Sequence, residues 1–315
     1  MRVLVDPGEY PVAVAAGVLE GLGVTVEAPA RPWDGEDVVG AITWYPLGAV
    51  DFDRLPALRV AATYSVGFDH IDVAEAAKRG IWVTSVPDYC VEEMADHALA
   101  LLLSLVRGVV ELDRSVRSGA WDSEAAGMLT RISDQRLGVI GFGRIGSALA
   151  RRALALGIRV SAHDPFLEPA VIAAAGVEPA SLDDLLGTST AISLHLPLSP
   201  ATAGLLGREQ LELLPSGGYV VNVSRAGLVD TAALLELLDS GHLGGVAMDV
   251  LDVEPPTAEA PAPARPRLVV NPHAGWYSPA AEEAVYRRAA ESVRAALLGE
   301  TPPGAVNTPT ARPAT

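Results

Sequence analysis

The sequence of 315 residues has almost no cysteine, and it has no apolar stretch long enough to cross a membrane. Cys90 stands alone, so no disulfide can form within the chain and nothing indicates an oxidising compartment. The longest apolar run, residues 98–106, is much shorter than a bilayer requires. Residues 1–6 have the pattern of a β-strand rather than that of a signal peptide. We therefore expect a cytoplasmic protein without membrane contact.

Positive charge is also scarce, because 39 acidic residues outnumber 23 basic ones and give a net charge of −16. An acidic surface repels phosphate backbones, so we predict no direct binding of nucleic acid. The six histidines are scattered, and no group of His, Cys and Asp has the spacing of metal ligands. We therefore predict no metal site. A local site can still bind one anionic cofactor.

Apolar strand patterns alternate with helical patterns in two arrays. In the first array the predicted strands are residues 2–6, 24–28, 41–45, 58–65 and 81–86, and the clearest helix covers residues 71–79. In the second array the predicted strands are residues 136–140, 159–163, 191–196, 218–223, 245–250 and 267–271. Such alternation predicts parallel sheets that are covered by helices on both faces. The length suits two domains.

A long helix is predicted between the arrays, over residues 91–106 and resuming to about residue 116. Its apolar part, residues 98–106, could belong to a core or to a subunit interface. Ser181, with Asp184 three residues later, is expected to cap a helix. A last helix is predicted over residues 279–298. Residues 301–315 are rich in Pro, Ala and Thr, and we expect them to form a loose tail, at least in the last residues.

The sharpest local signal is the segment Gly141-Phe142-Gly143-Arg144-Ile145-Gly146. The G-x-G-x-x-G pattern is weak alone, but here a predicted strand precedes it and an Ala/Leu-rich helix follows it. Gly141 would permit a tight turn, Gly143 would let the backbone approach a pyrophosphate, and Gly146 would let the helix pack closely on the strand. The free amide N–H groups at the helix start favour phosphate.

Asp164 follows the next strand, where a carboxylate can accept hydrogen bonds from the adenosine ribose. It would repel a 2′-phosphate, and the residues after it, Pro165, Phe166 and Leu167, carry no positive charge. These features predict NAD rather than NADP. The alternative, in which the glycines only join a strand to a helix and Asp164 caps a loop, stays open at this point.

Several later motifs resemble the D-isomer-specific 2-hydroxyacid dehydrogenase family, over residues 58–298. The segment Asn271-Pro272-His273-Ala274-Gly275-Trp276-Tyr277-Ser278 is similar to the C-terminal-binding-protein branch. The segment Tyr64-Ser65-Val66-Gly67-Phe68-Asp69-His70 is more similar to glyoxylate/hydroxypyruvate reductases. The resemblance implies an α/β protein with two doubly wound parallel-sheet domains. A Rossmann NAD domain, residues 98–276, would be inserted into a flavodoxin-like substrate domain, residues 1–97 and 277–315.

The family's catalytic positions correspond to Arg225, Glu254 and His273. The resemblance implies that Arg225 holds the keto oxygen and carboxylate of a substrate through paired hydrogen bonds. His273 would act as general acid and base, oriented by Glu254. Taken singly, Arg225 is typical of a surface ion pair and Glu254 of a loop. Their occurrence after successive strands, where open α/β sheets bind ligands, favours a function.

The resemblance also implies that further residues line the cofactor, together with Arg225, His273 and the glycine turn. These residues are Leu196, Pro197, Thr202, Val223, Ser224, Asp249 and Gly275. Thr202 would lie near the phosphates and Asp249 near the carboxamide. The backbone N–H groups of Ser65, Val66 and Gly67 can form an anion nest for the substrate carboxylate. Trp276 would line the substrate pocket. Where Thr63 stands, many relatives carry an arginine that assists this carboxylate in some of them.

The resemblance implies an enzyme that uses NAD and a small 2-keto or 2-hydroxy acid. Family analogy also suggests a homodimer packed through the NAD domains. Two other functions are considered: an NAD-sensing scaffold like the C-terminal-binding-protein corepressors, with little or no turnover, and oxidation of formate or phosphite on the same fold. Among the histidines, His97 lies on the apolar helix and is predicted to be a hydrogen-bonded core residue.

Overall fold

The computed structural model describes residues 1–310, which form two compact units. The first contains Met1–Cys90 with the segment that begins at Ser278, and the second contains Val91–Tyr277. The strands are β1 (Arg2–Val5), β2 (Thr25–Glu27), β3 (Val38–Ile42), β4 (Val60–Ala62), β5 (Trp82–Thr84), β6 (Arg136–Ile140), β7 (Arg159–His163), β8 (Glu178–Pro179), β9 (Ala191–Leu194), β10 (Gly218–Asn222), β11 (Leu243–Met248) and β12 (Leu268–Val270). The helices are α1 (Val12–Val18), α2 (Ala49–Arg54), α3 (Val73–Lys78), α4 (Val91–Val106), α5 (Val109–Arg117), α6 (Arg144–Ala155), α7 (Pro169–Ala174), α8 (Leu182–Thr188), α9 (Arg208–Glu212), α10 (Thr231–Asp239) and α11 (Pro279–Leu297).

The first unit is built on a five-stranded parallel sheet with the strand order β2-β1-β3-β4-β5. Apolar cores lie on both faces, one formed with α1 and α11 and the other with α2 and α3. All five residues of β3 are buried, as is typical of a strand covered on both sides. This strand order is flavodoxin-like, as predicted.

The central strand β3 begins and ends three residues before the strand that was predicted at residues 41–45. The chain leaves the sheet after Ile42 because side chains take over the bonding of its backbone. The amide of Trp44 donates to Asp6 Oδ2 over 2.7 Å, and the amide of Tyr45 donates to Thr43 Oγ1 over 2.9 Å. Polar groups at the carboxyl edge of the sheet therefore shorten the strand.

The predicted loose tail is wrong for residues 301–310. Gly304 accepts a hydrogen bond from the amide of Ser85, and the amide of Val306 donates to Val83. The side chain of Asn307 continues this pairing, because its Oδ1 accepts from the Val83 amide and its Nδ2 donates to Ile81. This segment lies along β5 and is ordered by backbone bonds that composition does not indicate. The last part of the predicted tail, residues 311–315, lies outside the described residues.

The second unit contains a seven-stranded parallel sheet with the strand order β12-β11-β10-β9-β6-β7-β8. Its inner part has the order of dinucleotide-binding domains, with the reversal of strand order between β6 and β9. The limits of β6 and β7 agree with the prediction. The short edge strand β8 was not predicted. The predicted fold class, two doubly wound parallel α/β domains, is confirmed.

Helix α4 belongs entirely to the second unit, whereas the predicted domain boundary at residues 97 and 98 divides it. The helix is continuous over its 16 residues and packs against α6, β10 and β11. Leu101, Leu102 and Leu105 are buried, so residues 98–106 form core, one of the two alternatives considered. Gly108, with a φ of 61°, separates α4 from α5. The second boundary, between Tyr277 and Ser278, lies one residue from the predicted position.

Candidate active site

The glycine turn joins β6 to α6 at the carboxyl edge of the second unit's sheet. Gly141 has a φ of 92°, and a Cβ there would lie 2.5 Å from the carbonyl oxygen of His195. A Cβ on Gly146 would collide with the carbonyl oxygen of Gly141. Gly143 has open space where a Cβ would stand. Two glycines are therefore required by close backbone packing, and the third leaves room for a ligand at the start of α6.

Asp164 holds the glycine turn from the end of β7. Its Oδ2 accepts the amide of Phe142 over 2.9 Å, and its Oδ1 accepts the amide of Phe166 over 3.0 Å. Each carboxylate oxygen has a second lone pair that can accept a further hydrogen bond. Asp164 therefore caps a loop, as the alternative interpretation expects, and it retains acceptors that a ribose hydroxyl can use.

Hydrogen bonds between side chains and backbone also fix the loops that follow β9 and β10 at the same edge. Thr202 Oγ1 accepts from the Ser199 amide over 2.8 Å and donates to the Pro197 carbonyl over 2.7 Å. Ser224 Oγ donates to the Leu194 carbonyl over 2.7 Å and so joins the two loops. Leu196 and Val223 lie in these loops, so the residues predicted to line the cofactor come to one edge. Their contacts with the cofactor stay a prediction.

His273 and Glu254 lie together in the second unit, although 19 residues separate them in the sequence. His273 Nδ1 is 2.7 Å from Glu254 Oε2, and Glu254 Oε1 accepts the amide of Leu251 over 2.6 Å. Burial disfavours the charged form of Glu254, but the hydrogen bonds from His273 and Leu251 and the charge of Arg225 outweigh it, so the pKa of Glu254 lies below its ordinary value. An ionised carboxylate therefore faces one nitrogen of the imidazole.

The backbone of Arg225 is fixed by Asn222, the last residue of β10. Asn222 Nδ2 donates to the Arg225 carbonyl over 2.9 Å, and its Oδ1 accepts the amide of Ser224 over 3.0 Å. The half-buried guanidinium donates to the Ser224 carbonyl over 2.9 Å. The sequence-based interpretation missed Asn222. A polar side chain at a strand end, three residues before a candidate arginine, is the signal that could have indicated it.

Asp249 has a structural role that was not predicted, because only a contact with the carboxamide of the cofactor was expected for it. Its side chain is buried, and its two oxygens accept the amides of Ala274 over 2.9 Å and Gly275 over 2.8 Å. Burial raises the pKa of Asp249, but interactions with His97 and with these two amides outweigh it and lower the pKa overall. Asp249 therefore fixes the turn that directly follows His273.

His97, predicted to be a hydrogen-bonded core residue, is half-buried in α4. Its buried Nε2 lies 3.5 Å from Asp249 Oδ1, at the outer limit of a hydrogen bond. His195 differs, because its Nε2 lies 2.9 Å from Ser193 Oγ and burial lowers its pKa to about 4. His195 is therefore neutral near pH 7. His273, by contrast, pairs directly with a carboxylate whose pKa is lowered.

The predicted substrate residues lie in both units. In the first unit, the amides of Ser65, Val66 and Gly67 donate to no acceptor in residues 1–310, so they are available to an anion. Ser65 Oγ donates to the Gly67 carbonyl over 2.5 Å and tightens this loop. In the second unit, the half-buried ring of Trp276 packs edge-on against Tyr277, with 5.5 Å between ring centroids.

Among residues 1–310, no group of three or more His, Cys, Asp or Glu side chains is arranged to hold a metal ion. No helix in the same range combines the length and apolar character that a membrane span needs.

Comparison with known proteins identifies relatives along most of the chain. A family model described as D-isomer specific 2-hydroxyacid dehydrogenase, NAD binding domain, matches residues 99–275. D-3-phosphoglycerate dehydrogenase of Mycobacterium leprae is 42% identical over 253 residues, which are 80% of this chain and 47% of that protein. The chain thus spans about half the length of that relative. Glyoxylate reductase of Korarchaeum cryptofilum is 38% identical over 274 residues, 86% of this chain and 82% of that protein.

A solved structure is similar over nearly the whole chain. D-lactate dehydrogenase of Aquifex aeolicus, complexed with NAD and lactic acid, has a TM-score of 0.84 and 28% identity, covering 95% of this chain and 96% of that one. The second unit is therefore an NAD-binding domain, which agrees with the predicted cofactor. Because the family model covers more than half of the sequence, the chain belongs to the D-isomer-specific 2-hydroxyacid dehydrogenase family.

Proposed function

We propose that this protein is an NAD-dependent D-2-hydroxyacid dehydrogenase that interconverts a small 2-keto acid and the corresponding 2-hydroxy acid. The observation that carries the proposal is the bond of 2.7 Å between His273 and Glu254, in the same unit as the glycine turn. The family, and relatives named glyoxylate reductase and D-lactate dehydrogenase, support this reaction type. The rival proposal of a scaffold without turnover has no such support in the site.

The pairing of His273 with Glu254 defines how a proton can move. Because Nδ1 is bonded to the carboxylate, Nε2 is the nitrogen that can face a substrate. The negative charge of Glu254 stabilises the imidazolium, which donates the Nε2 proton to the carbonyl oxygen during reduction. In the reverse direction the neutral imidazole accepts the hydroxyl proton. Glu254 also fixes the ring orientation, so it is a positioning residue.

The glycine turn fits a dinucleotide, because Gly143 leaves open space beside the exposed start of α6. The Phe142 amide already donates to Asp164, so we propose that the amides from Gly143 to Gly146 hold the pyrophosphate. Asp164 would accept hydrogen bonds from the ribose. When bound, NADH supplies the hydride that reduces the keto carbon, and NAD accepts it in the reverse reaction. The residues of the loops after β9 and β10, together with Asp249 and Gly275, would complete the lining.

Arg225 is proposed to hold the substrate. Its planar guanidinium can bind the keto oxygen and one carboxylate oxygen at once, and this polarises the carbonyl. The unbonded amides of Ser65, Val66 and Gly67 would bind the carboxylate, and Trp276 would line the pocket. Thr63 is uncharged, so it cannot pair with the substrate carboxylate as an arginine would. Its hydroxyl donates to the backbone carbonyls of Ser65 and Gly67 in its own loop.

We also propose a homodimer, with an interface formed by α5 and the loop that follows it. This segment exposes large apolar side chains, with Trp121 93% and Met128 90% exposed. Isolated exposure of such residues is common, but two aromatic or sulfur-containing side chains in one segment favour an interface. Light scattering during size-exclusion chromatography tests the dimer, and Trp121→Asp is expected to shift it toward monomer. A cytoplasmic location is proposed from the use of NADH and the single cysteine.

The proposed reaction is tested by following NADH oxidation with glyoxylate, hydroxypyruvate, pyruvate and bulkier 2-keto acids. We expect turnover of at least one of them. His273→Gln should lose roughly 10²–10⁴-fold in kcat, the range for a general acid, while NADH binding stays unchanged. NADH binding without turnover of any 2-keto acid would instead support the scaffold. Reduction of NAD by formate or phosphite would show a different reaction on the same fold.

A further inference from the structure

The turn that carries His273 has a backbone conformation that needs outside support. His273 has a φ of 54°, in the left-handed region that residues with a Cβ seldom adopt. The two amides that follow it, those of Ala274 and Gly275, donate to the two oxygens of Asp249. Asp249 directly follows β11, so a buried carboxylate on the sheet sets the conformation of the loop. The position of the His273 imidazole depends on this carboxylate.

Helix α4 packs against the same turn through His97 and Met94. A Cβ on Gly275 would lie 2.8 Å from Asp249 Oδ2, 3.0 Å from His97 Cδ2 and 3.1 Å from Met94 Sδ. The turn therefore has no space to move toward α4. His97 Nε2 is 3.5 Å from Asp249 Oδ1, the oxygen that accepts the Ala274 amide. The imidazole thus faces the carboxylate that fixes the turn.

The electrostatics of this arrangement give His97 a specific role. A buried carboxylate requires compensating donors, and the two amides supply only dipoles. The buried Nε2 of His97 bonds to no other residue in residues 1–310, and at 3.5 Å from Asp249 Oδ1 it is close enough to act as a donor to that oxygen. A donor on this side holds Oδ1 in place between the helix and the turn. Removal of the donor would leave the carboxylate free to rotate away from the Ala274 amide.

We propose that His97 is a positioning residue which, through Asp249 and the Ala274–Gly275 turn, fixes the imidazole of His273 against Glu254. The inference rests on the proposed function, because it assigns His97 to the same proton transfer. His97 faces Asp249 and the turn, with Nε2 at 3.5 Å from Asp249 Oδ1. Its loss should therefore act on the orientation of the general acid and leave the residues proposed to bind the substrate carboxylate intact.

The experiment compares His97→Ala and His97→Gln with His242→Ala, in the full chain with NADH and the best 2-keto acid. His242 is a matched control in the same unit, because its Nε2 is also buried without a hydrogen-bond partner in residues 1–310. We expect His97→Ala to lower kcat by on the order of 10–100-fold, the scale of a small misplacement of a catalytic group. KM for the keto acid should change by less than about threefold. His97→Gln, whose amide can donate to Asp249, should recover most of the loss, and His242→Ala should behave as wild type.

A second measurement does not depend on turnover. In NMR spectra of the imidazole groups, the His273 resonance is assigned from its absence in His273→Gln. It should shift in His97→Ala and keep its position in His242→Ala. An unchanged His273 resonance and unchanged kcat in His97→Ala would overturn the inference, as would equal losses in the Ala and Gln variants. If wild type turns over no 2-keto acid, the proposed function fails, and the resonance shift alone decides the role of His97.

Discussion

Glu254 Oε2 and His273 Nδ1 are 2.7 Å apart, and the other oxygen of the same carboxylate accepts the amide of Leu251. The carboxylate is therefore held between the backbone of its own loop and the imidazole. This arrangement keeps Glu254 from turning away from His273. It also directs the other ring nitrogen, Nε2, away from Glu254. The geometry suits a histidine that exchanges one proton with a substrate.

Replacement of Glu254 by Gln should weaken proton donation by His273. The amide keeps the size of the side chain but removes the charge that stabilises the imidazolium. We expect kcat for reduction to fall by on the order of 10²-fold, within the range that a general acid contributes. The measurement is kcat for reduction with saturating NADH and keto acid.

The control for this variant is Asp252→Asn, which removes an exposed carboxylate from the same loop. It should keep the wild-type kcat. A Glu254→Gln variant that also keeps the wild-type kcat would contradict the role of the carboxylate in stabilising the imidazolium.

Asp164 is expected to set the preference for NADH over NADPH. Asp164→Ala should narrow the ratio of the two kcat/KM values by about tenfold, equivalent to about 1.4 kcal/mol, because a 2′-phosphate is no longer repelled. The same carboxylate also accepts the Phe142 amide of the glycine turn. Asp164→Asn therefore serves as the companion variant, since it keeps an acceptor and removes the charge. If the ratio of kcat/KM for NADH and NADPH changes in Asp164→Ala and not in Asp164→Asn, Asp164 only anchors the turn.

The local pattern of strand, glycine turn and helix was sufficient to predict β6, β7 and the role of Gly141 and Gly146, because each of these depends on neighbouring residues. The pairing of His273 with Glu254 followed from the family resemblance, which supplies contacts between distant positions. The bonds that backbone amides make to Asp249 were not predictable, because an amide donor is present at almost every residue and leaves no mark in the sequence.

The limits of the elements were harder to predict for the same physical reason. β3 ends at Ile42 because Asp6, far away in the sequence, accepts the amide of Trp44. Residues 301–310 are ordered by bonds to β5, although their composition is typical of a loose segment. Helix α4 is apolar, and periodicity alone did not decide whether it packs inside the unit or against a second chain. In each case the outcome depends on tertiary contacts.

Asp249 should contribute to stability in a manner that depends on pH. The folded protein lowers the pKa of Asp249. Its ionised form therefore stabilises the fold above the pKa of the unfolded chain, about 3.9, and this contribution is lost as the pH falls through the folded value. Asp249→Asn is expected to reduce the free energy of unfolding by about 1–3 kcal/mol at pH 7, because a buried amide group loses its acceptor.

Urea denaturation at pH 7 and at pH 3.5 measures this effect. The difference in the free energy of unfolding between wild type and Asp249→Asn should be smaller at pH 3.5 than at pH 7. The exposed Asp134 gives the control, since Asp134→Asn removes a carboxylate from the surface of the second unit and should change stability little at either pH. An equal difference at both pH values would show that the charge of Asp249 is not what stabilises the fold.

The carboxyl edge of the first unit's sheet has a charge pattern that should select among 2-keto acids. Arg31 Nη2 lies 3.1 Å from Oδ1 of the buried Asp6, so its charge is already balanced. Glu9 is exposed beside them, and its carboxylate accepts the hydroxyls of Tyr45 over 2.6 Å and Tyr64 over 3.2 Å. Tyr64 directly precedes the loop proposed to bind the substrate carboxylate. A second anionic group on the substrate would therefore meet a net negative charge at this edge.

This charge pattern predicts that a 2-keto acid with an uncharged side chain is reduced with a higher kcat/KM than a phosphorylated or dicarboxylic one, although D-3-phosphoglycerate dehydrogenases are among the relatives. Glu9→Gln should raise kcat/KM for the dianionic substrates by a few-fold, consistent with the modest energy of a partly exposed charge pair, and leave the substrate with an uncharged side chain unaffected. The effect should diminish at high salt. Glu20→Gln removes another exposed carboxylate of the first unit and should change neither value. Comparable kcat/KM values for pyruvate and a phosphorylated 2-keto acid in the wild type would contradict this selectivity, because repulsion at the edge would then have no effect on the transition state.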